Sequence, residues 1–152
     1  DKGCTNSRPY ICKWDNPNTR APTPEPTRAP TVAPTVPACD YEYYAEDGTG
    51  YCYFLSSDSL SYAAASTACS AKGANLASIG EEGENEYLTS IISTNTWIGL
   101  TDLAVEGDWA WDDGSAYEYT NWNPGEPNNS GGEDCTELYT SGYWNDKGCT
   151  NS

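Results

Sequence analysis

The chain has 152 residues, with 23 acidic and 7 basic side chains, no histidine and a formal net charge of −16. Such an acidic chain is excluded from binding nucleic acid by phosphate neutralisation, which needs a basic face. The absence of histidine excludes imidazole-based nucleophilic catalysis and most zinc sites. No apolar run approaches the roughly 20 residues that cross a bilayer, so we expect no membrane span.

The apolar composition favours a disulfide-bonded domain over a disordered chain. Leu, Ile, Val and Phe together number 16, and such scarcity combined with high net charge is typical of disorder. However, 12 Tyr, 6 Trp and 7 Cys can supply large buried rings and covalent cross-links. We therefore predict a small secreted, extracellular domain with disulfides and bound cations. The odd number of cysteines would ordinarily indicate a free thiol or an intermolecular bridge.

The sequence begins and ends with the same heptapeptide, DKGCTNS, at residues 1–7 and 146–152. Seven identical residues at both ends are not expected by chance. We interpret the sequence as one period of a tandem array that repeats every 145 residues, the offset between the two copies. An artificial duplication or a permutation of the chain is the alternative interpretation.

Residues 15–38 form a Pro/Thr-rich block in which Thr recurs every four residues from Thr19 to Thr35. This block cannot pack a core, and its composition favours extended polyproline geometry. At about 3.1 Å per residue, such a linker would reach roughly 70 Å. Thr/Pro-rich segments of secreted proteins often carry O-linked sugar, so O-glycosylation and a plain unmodified spacer both stay open.

The remaining residues, 39–152, form the predicted globular part, with 20 acidic residues and two lysines. An Ala-rich helix is predicted over 59–70, with Ser59 as its cap and Gly73 as its stop. A second helix is predicted around Glu81 to Ile92, where glutamates in the first turn suit the helix dipole and four apolar residues share one face. The glutamates of this helix, from Glu81 to Glu86, are interpreted as an exposed helix face.

Short aromatic strands are predicted after the second helix. The sequences TWIGL (96–100), GDWAW (107–111) and GYWND (142–146) are separated by Gly, Asn, Pro and Asp clusters. The tryptophans of these strands are predicted to lie in the core. The order is therefore two helices followed by a sheet with long loops.

The loops between Asp102 and Asp146 are dense in short side chains that carry oxygen atoms. The main runs are Glu-Pro-Asn-Asn at 126–129, Glu-Asp-Cys at 133–135 and Trp-Asn-Asp at 144–146. Carboxylate and amide oxygens in sets of six to eight are the ligands that Ca²⁺ requires, whereas soft ligands for zinc are missing. The sequence therefore predicts a Ca²⁺ site in these loops.

These residues resemble the C-type lectin domain family over 39–152. The features that carry the resemblance occur in the family's order: Cys39, Cys52-Tyr53, the helix that ends at Cys69, Trp97-Ile98-Gly99-Leu100, Asn121-Trp122, Glu126-Pro127-Asn128, Glu133-Asp134-Cys135, Trp144-Asn145-Asp146 and Cys149. The resemblance implies an α+β, C-type lectin-like fold with two helices, antiparallel sheets and a long calcium-binding loop region.

The resemblance also implies how the cysteines pair. In the family, a last strand carries a cysteine that bonds to the first helix, and here the matching sequence is Arg-Pro-Tyr-Ile-Cys-Lys-Trp at 8–14. Residues 1–14 are therefore interpreted as the tail of a preceding repeat, so that 39–152 lacks its own last strand. The implied bonds are Cys39–Cys52, Cys135–Cys149, and Cys69 with the next repeat's equivalent of Cys12. Cys4 and Cys12 would serve the preceding copy.

Two calcium sites follow from the resemblance, residue by residue. The principal, sugar-binding site consists of Glu126, Asn128, Glu133, Asn145 and Asp146. A possible auxiliary site consists of Asp102, Glu106, Asn129, Asp134 and the shared Glu133. The Glu126–Pro127 bond is expected to be cis. By analogy, the Glu-Pro-Asn sequence favours sugars with equatorial vicinal hydroxyls, such as mannose, N-acetylglucosamine, glucose or fucose, over galactose.

We interpret the chain as a calcium-dependent carbohydrate-binding domain that is repeated along a secreted protein and has glycans as partners. Glycoside hydrolysis by paired carboxylates is not expected, because Ca²⁺ keeps both groups ionised and unable to act as an acid. A calcium site that serves only structure is one alternative. Another is an adhesive extracellular fibre in which neighbouring copies of the domain contact each other.

Overall fold

A computed structural model of the protein describes residues 6–15 and 39–149. Most of the predicted spacer, and Cys4 with the first heptapeptide up to residue 5, lie outside the described residues. The elements are β1 (Ile11–Asp15), β2 (Tyr41–Tyr44), β3 (Gly50–Leu55), α1 (Tyr62–Ser70), β4 (Asn75–Leu76), α2 (Glu82–Ile91), β5 (Thr96–Thr101), β6 (Ala110–Trp111), β7 (Cys135–Leu138) and β8 (Trp144–Lys147).

The strands form two four-stranded antiparallel sheets. The first has the order β2-β3-β1-β4 and the second has the order β6-β5-β7-β8. The two helices and the antiparallel sheets confirm the predicted α+β architecture. Among the described residues, no helix is long and apolar enough to cross a bilayer.

β1 lies inside the first sheet, between β3 and β4. Cys12 is opposite Phe54 on one side and Leu76 on the other, and it forms a disulfide with Cys69 of the same chain. This corrects the expectation that Cys69 pairs with a next repeat's equivalent of Cys12. The physical reason is that β1 of the same chain forms backbone hydrogen bonds with both β3 and β4, so it already fills the strand position between them. Asp15, assigned above to the spacer, is the last residue of β1.

The two other disulfides are the ones that the resemblance implies. Cys39 is bonded to Cys52, and Cys135 is bonded to Cys149. The Cys39–Cys52 bond joins the first residue of the described range 39–149 to β3. The second joins β7 to the residues that follow β8, so it holds together two adjacent strands near the candidate ligands.

Both helices differ in detail from their predicted form. The cap of α1 is Ser61 rather than Ser59, because the chain before it forms a bridge between Leu60 and Arg8. Within α2, Glu84 and Asn85 are buried rather than exposed.

The core is rich in aromatic rings, as predicted. Trp97, Trp111 and Trp144 are buried, and Trp111 and Trp144 meet edge to face with their ring centres 5.6 Å apart. Trp109 and Trp122 pack at the edge of the same core. These rings fix the base of the long loops that follow β5 and β6.

Candidate functional site

The predicted ligands lie on the second sheet and its loops. β8 carries Asn145 and Asp146, and Asp146 is opposite Thr136 of β7. The connection from β6 to β7 carries residues 126–134, and the connection from β5 to β6 carries residues 102–106. Because β5, β7 and β8 are neighbours, the sheet brings all three segments to one region.

Asp146 and Glu126 each have a carboxylate oxygen that is shielded from solvent and lacks a hydrogen-bond partner. Asp146 is fully buried, and its Oδ2 accepts a 2.6 Å bond from the backbone N–H of Asn129. Its Oδ1 and the Oε2 of Glu126 have no partner. Burial, and then the neighbouring carboxylates of Asp146 and Glu133, raise the pKa of Glu126. A cation at this position would satisfy both oxygens and offset the repulsion.

Asn145 is connected by hydrogen bonds to residues that the sequence did not indicate as part of the site. Its Nδ2 donates to Glu137 Oε1 at 3.3 Å, and Glu137 Oε2 accepts a 2.7 Å ion-paired bond from Arg8 Nε. Glu137 is buried, and Arg8 supplies the opposite charge beside it. No local pattern connects Arg8 to β7, which lies more than a hundred residues away, and the position of β1 in the fold brings them together.

Asn128 and Glu133 lie at the more open side of the region. The Oδ1 of Asn128 accepts a 2.8 Å bond from the backbone N–H of Ser130, and its side chain is exposed. Glu133 Oε1 accepts a 2.9 Å bond from Lys147 Nζ, a second contact that the sequence did not indicate. The Glu126–Pro127 bond is cis, as predicted. The Asn128 side chain is accessible to an ion or a ligand, whereas the Glu133 side chain is mostly buried.

The predicted auxiliary residues gather beside this group. Asp102 is buried, its Oδ2 accepts a 2.8 Å bond from the backbone N–H of Gly107, and its Oδ1 has no partner. Burial, followed by Asp102, Asp134 and Asp146, raises the pKa of Glu106. Glu106 accepts a 2.7 Å bond from Asn129 Nδ2. An asparagine at position 129 therefore supplies a donor here, where an aspartate would add one more repelling charge.

The unpartnered buried atoms single out the candidate site. In the described part of the chain, six buried side-chain polar atoms lack a partner, and the three that are carboxylate oxygens belong to Asp102, Glu126 and Asp146. All three residues are predicted ligands. Another group of metal-ligating residue types, Cys39, Glu42 and Cys52, also comes together, but its sulfurs are bonded to each other and cannot bind a metal. The chemistry of hard oxygen donors fits Ca²⁺.

The comparison with known families decides the identity of the fold. The sequence profile of the lectin C-type domain matches residues 58–152, which is more than half of the chain. The chain belongs to the C-type lectin domain family. The matched range contains every predicted calcium ligand.

Relatives of this lectin domain include proteins that are named as receptors. It is 46% identical over 100 residues to the low affinity immunoglobulin epsilon Fc receptor of Mus musculus, covering 64% of this chain and 30% of the receptor. It is 34% identical to the C-type mannose receptor 2 of Homo sapiens, covering 100% of this chain and 10% of the receptor. The lectin domain thus spans less than a third of either relative.

Solved structures confirm the C-type lectin-like fold. The carbohydrate-recognition domain of cow CD23, solved in the presence of a GlcNAc2Man3 oligosaccharide, matches with a TM-score of 0.59 and 38% identity, covering 60% of this chain and 73% of that domain. A calcium-independent type II antifreeze protein matches with a TM-score of 0.57 and 31% identity, covering 60% of this chain and 72% of that protein. The fold is therefore shared by a carbohydrate-recognition domain and by a calcium-independent protein, so the fold alone does not decide calcium use.

Proposed function

We propose that the domain binds Ca²⁺ and, through it, sugars with equatorial vicinal hydroxyls, such as mannose, N-acetylglucosamine or fucose. The observation that carries the proposal is the pair of shielded, unpartnered oxygens on Glu126 and Asp146. An anionic oxygen without a hydrogen bond in a shielded position is costly unless a cation or donor meets it. The calcium-independent type II antifreeze protein has the same fold, so the fold by itself does not support calcium binding. The support comes from the ligand set of this chain.

The ligand set also suits sugar hydroxyls. Ca²⁺ would be held by Glu126, Asn128, Glu133, Asn145 and Asp146, and it would supply coordination positions for two neighbouring hydroxyls. Each hydroxyl can donate to a carboxylate and accept from an amide N–H, so an alternating acid and amide set satisfies both. The second support is the cow CD23 domain, which was solved with an oligosaccharide.

The same chemistry argues for binding rather than catalysis. Carboxylates that hold Ca²⁺ stay ionised and accept hydrogen bonds, so they cannot act as general acids. A single sugar at an open site binds weakly, and repeated domains on one chain would add avidity. Three disulfides suit an oxidising, extracellular setting. No relative described above favours the fibre alternative.

The test is retention on mannose-agarose in Ca²⁺, elution by a chelator, and a glycan array with and without Ca²⁺. We expect Glu126→Gln to abolish retention, because it removes an anionic ligand. The matched control is Glu118→Gln, an exposed acidic residue outside the ligand set, which should bind like the unmodified chain. Binding to no neutral glycan in Ca²⁺ would overturn the proposal.

A further inference from the structure

Lys147 is the one basic side chain of the described residues that pairs with a predicted calcium ligand. Its Nζ donates a hydrogen bond to Oε1 of Glu133 at 2.9 Å. The structure describes three other basic residues, and their printed partners lie outside the predicted ligand set: Arg8 with Glu137, Lys13 with Glu84, and Lys72 over the ring of Phe54. Lys147 is therefore the cation that the fold itself supplies to the ligands.

The position of Lys147 is fixed by the second sheet. Lys147 is the last residue of β8 and lies opposite Cys135, the first residue of β7. Cys135 follows Glu133 by two residues along the chain, and its disulfide to Cys149 holds the two strands together beside this pair. The ammonium group is thus tethered near Glu133 at a high effective concentration.

Glu133 is held in this region by Asn129. The Oδ1 of Asn129 accepts a 2.7 Å bond from the backbone N–H of Glu133, and the backbone N–H of Asn129 donates to Asp146 Oδ2 at 2.6 Å. Asn129 Nδ2 also donates to Glu106 at 2.7 Å. One neutral residue therefore connects three acidic residues, while Lys147 supplies the positive charge beside Glu133.

The two partners of the ion pair differ in burial. The side chain of Glu133 is 11% exposed, whereas that of Lys147 is 32% exposed. A mostly buried carboxylate is costly unless an opposite charge lies beside it. Lysine has a flexible four-carbon stem, which lets the ammonium group turn into solvent while the stem stays packed. Glu133 is therefore the fixed member of the pair, and Lys147 is the member that can leave.

Glu133 cannot pair with Lys147 and Ca²⁺ equally well. Protein oxygens bind Ca²⁺ at about 2.3–2.6 Å, so an ammonium group and a calcium ion on one carboxylate lie less than about 8 Å apart. The screening length of physiological salt is also about 8 Å, so two cations at this separation still repel each other. The pairing of Lys147 with Glu133 therefore opposes the binding of Ca²⁺.

We propose that Lys147 is an internal competitor of Ca²⁺ at Glu133. Its ammonium group neutralises the carboxylate when Ca²⁺ is scarce and turns into solvent when the ion binds. Because Glu133 is predicted to serve both calcium sites, this lysine sets the Ca²⁺ concentration at which the ligands are filled. Such a role rests on the proposed function, since it requires that the domain binds Ca²⁺.

The test compares Lys147→Gln with two control variants of the full, disulfide-bonded chain. Lys147→Arg keeps the charge at the same position. Lys72→Gln removes the same charge from an exposed lysine that lies over Phe54. Calorimetric titration with Ca²⁺, at one fixed salt concentration because salt screens charges, gives the Kd of each variant.

We expect Lys147→Gln to bind Ca²⁺ about fivefold more tightly than the unmodified chain, because it removes a partly exposed ion pair that competes with the ion. Lys147→Arg should bind no more tightly than the unmodified chain. Lys72→Gln should change the Kd by less than about twofold, because an exposed charge away from the ligands is largely screened.

Thermal unfolding separates competition from simple stabilisation. With chelator, Lys147→Gln should unfold at a lower temperature than the unmodified chain, because Glu133 loses its counter-ion. With saturating Ca²⁺ this difference should disappear, since the ion supplies the charge and binds the variant more tightly. A contact that only stabilises the fold would lower both unfolding temperatures equally and leave the Kd unchanged, and that result would overturn the proposal.

The titrations also distinguish the role of Lys147 from calcium binding itself. If the unmodified chain and Lys147→Gln bind Ca²⁺ with the same Kd, or if Lys72→Gln gains as much affinity, Lys147 is not a competitor although calcium binding stands. If neither the unmodified chain nor any variant binds Ca²⁺, both proposals fail. Binding by Lys147→Gln alone would support competition and contradict calcium binding by the unmodified chain.

Discussion

Lys13 and Glu84 form a buried ion pair that joins β1 to α2. Lys13 Nζ lies 2.5 Å from Glu84 Oε1 and 3.1 Å from the Ser78 carbonyl, and the hydroxyl of Tyr53 also donates to Glu84. Gly80 donates its backbone N–H to the other carboxylate oxygen at 2.8 Å. The sequence placed Glu84 on an exposed helix face, because a glutamate in a first turn gives no sign of a buried lysine from a distant strand.

Removing one partner of this pair should destabilise the fold strongly. Glu84→Ala leaves the Lys13 ammonium buried without compensation, and we expect a loss of about 3 kcal/mol in the free energy of unfolding. Glu86→Ala, an exposed glutamate of the same helix, should change it by less than about 0.5 kcal/mol. Urea denaturation followed by tryptophan fluorescence measures both. Equal stabilities would show that the pair contributes nothing.

Sugar preference is predicted to depend on residues 126 and 128. By the resemblance, Glu126→Gln combined with Asn128→Asp exchanges the positions of acid and amide, and hence of acceptor and donor. We expect preference to move from mannose toward galactose, while Ca²⁺ is still required. Competition of each sugar for a labelled glycan measures the ratio. A sugar profile that does not change would show that this loop does not select the ligand.

At the scale of elements, the two sheets meet closely at one glycine. A Cβ placed on Gly99 of β5 would lie 2.6 Å from the carbonyl oxygen of Leu76 in β4, a backbone atom that cannot move aside. Gly99 also donates its N–H to Ala77 at 2.8 Å. The glycine of the Trp-Ile-Gly-Leu sequence is therefore required for the approach of β4 to β5.

Gly99→Ala should cost about 1–3 kcal/mol through overpacking. The control is Gly80→Ala, where the added Cβ would meet its nearest atom, Glu84 Oε2, at an ordinary 3.8 Å. Thermal unfolding monitored by circular dichroism compares the two variants. If both unfold at the same temperature, the contact between β4 and β5 is more adaptable than the backbone positions indicate.

The three disulfides should contribute unequally. Cys12 and Cys69 are 57 residues apart, whereas Cys39 and Cys52 are 13 apart. By loop-closure entropy, replacing the first pair with serine should cost about 4 kcal/mol and replacing the second about 3 kcal/mol. Denaturant titration of the two double-serine variants at one low protein concentration tests the order. A larger loss for the shorter loop would contradict the entropic account.

At the scale of the whole molecule, the acidic surplus predicts that stability depends on calcium. Residues 39–152 carry 20 acidic side chains and two lysines, and the predicted ligands bring many of them together. A bound cation stabilises the folded state by mass action and reduces repulsion among the ligands. Order in this domain would therefore depend on both disulfides and the ion.

Free Ca²⁺ at a hundred times its Kd should raise the free energy of unfolding by about 2.7 kcal/mol. The measurement is thermal unfolding with Ca²⁺ or a chelator, with Mg²⁺ as the ion control because it prefers a smaller, stricter geometry. Asp146→Asn should reduce the shift. Identical unfolding curves with Ca²⁺ and with chelator would contradict calcium binding.

The sequence by itself predicted the family, both helices, the aromatic core and two disulfides. These features are carried by local periodicity and by motifs such as Trp-Ile-Gly-Leu, whose residues act close to where they stand in the chain. The sequence also proposed the calcium ligands, and their coordination of an ion stays a prediction.

Only the tertiary structure decided which partners meet across the chain. It placed β1 inside the first sheet of its own domain and buried Glu84 against Lys13. It also connected Arg8, Glu137 and Asn145 beside the candidate site. The physical reason is that strand pairing and buried charge are satisfied by distant residues. Local pattern does not specify those residues, and the position between β3 and β4 accepts a single strand.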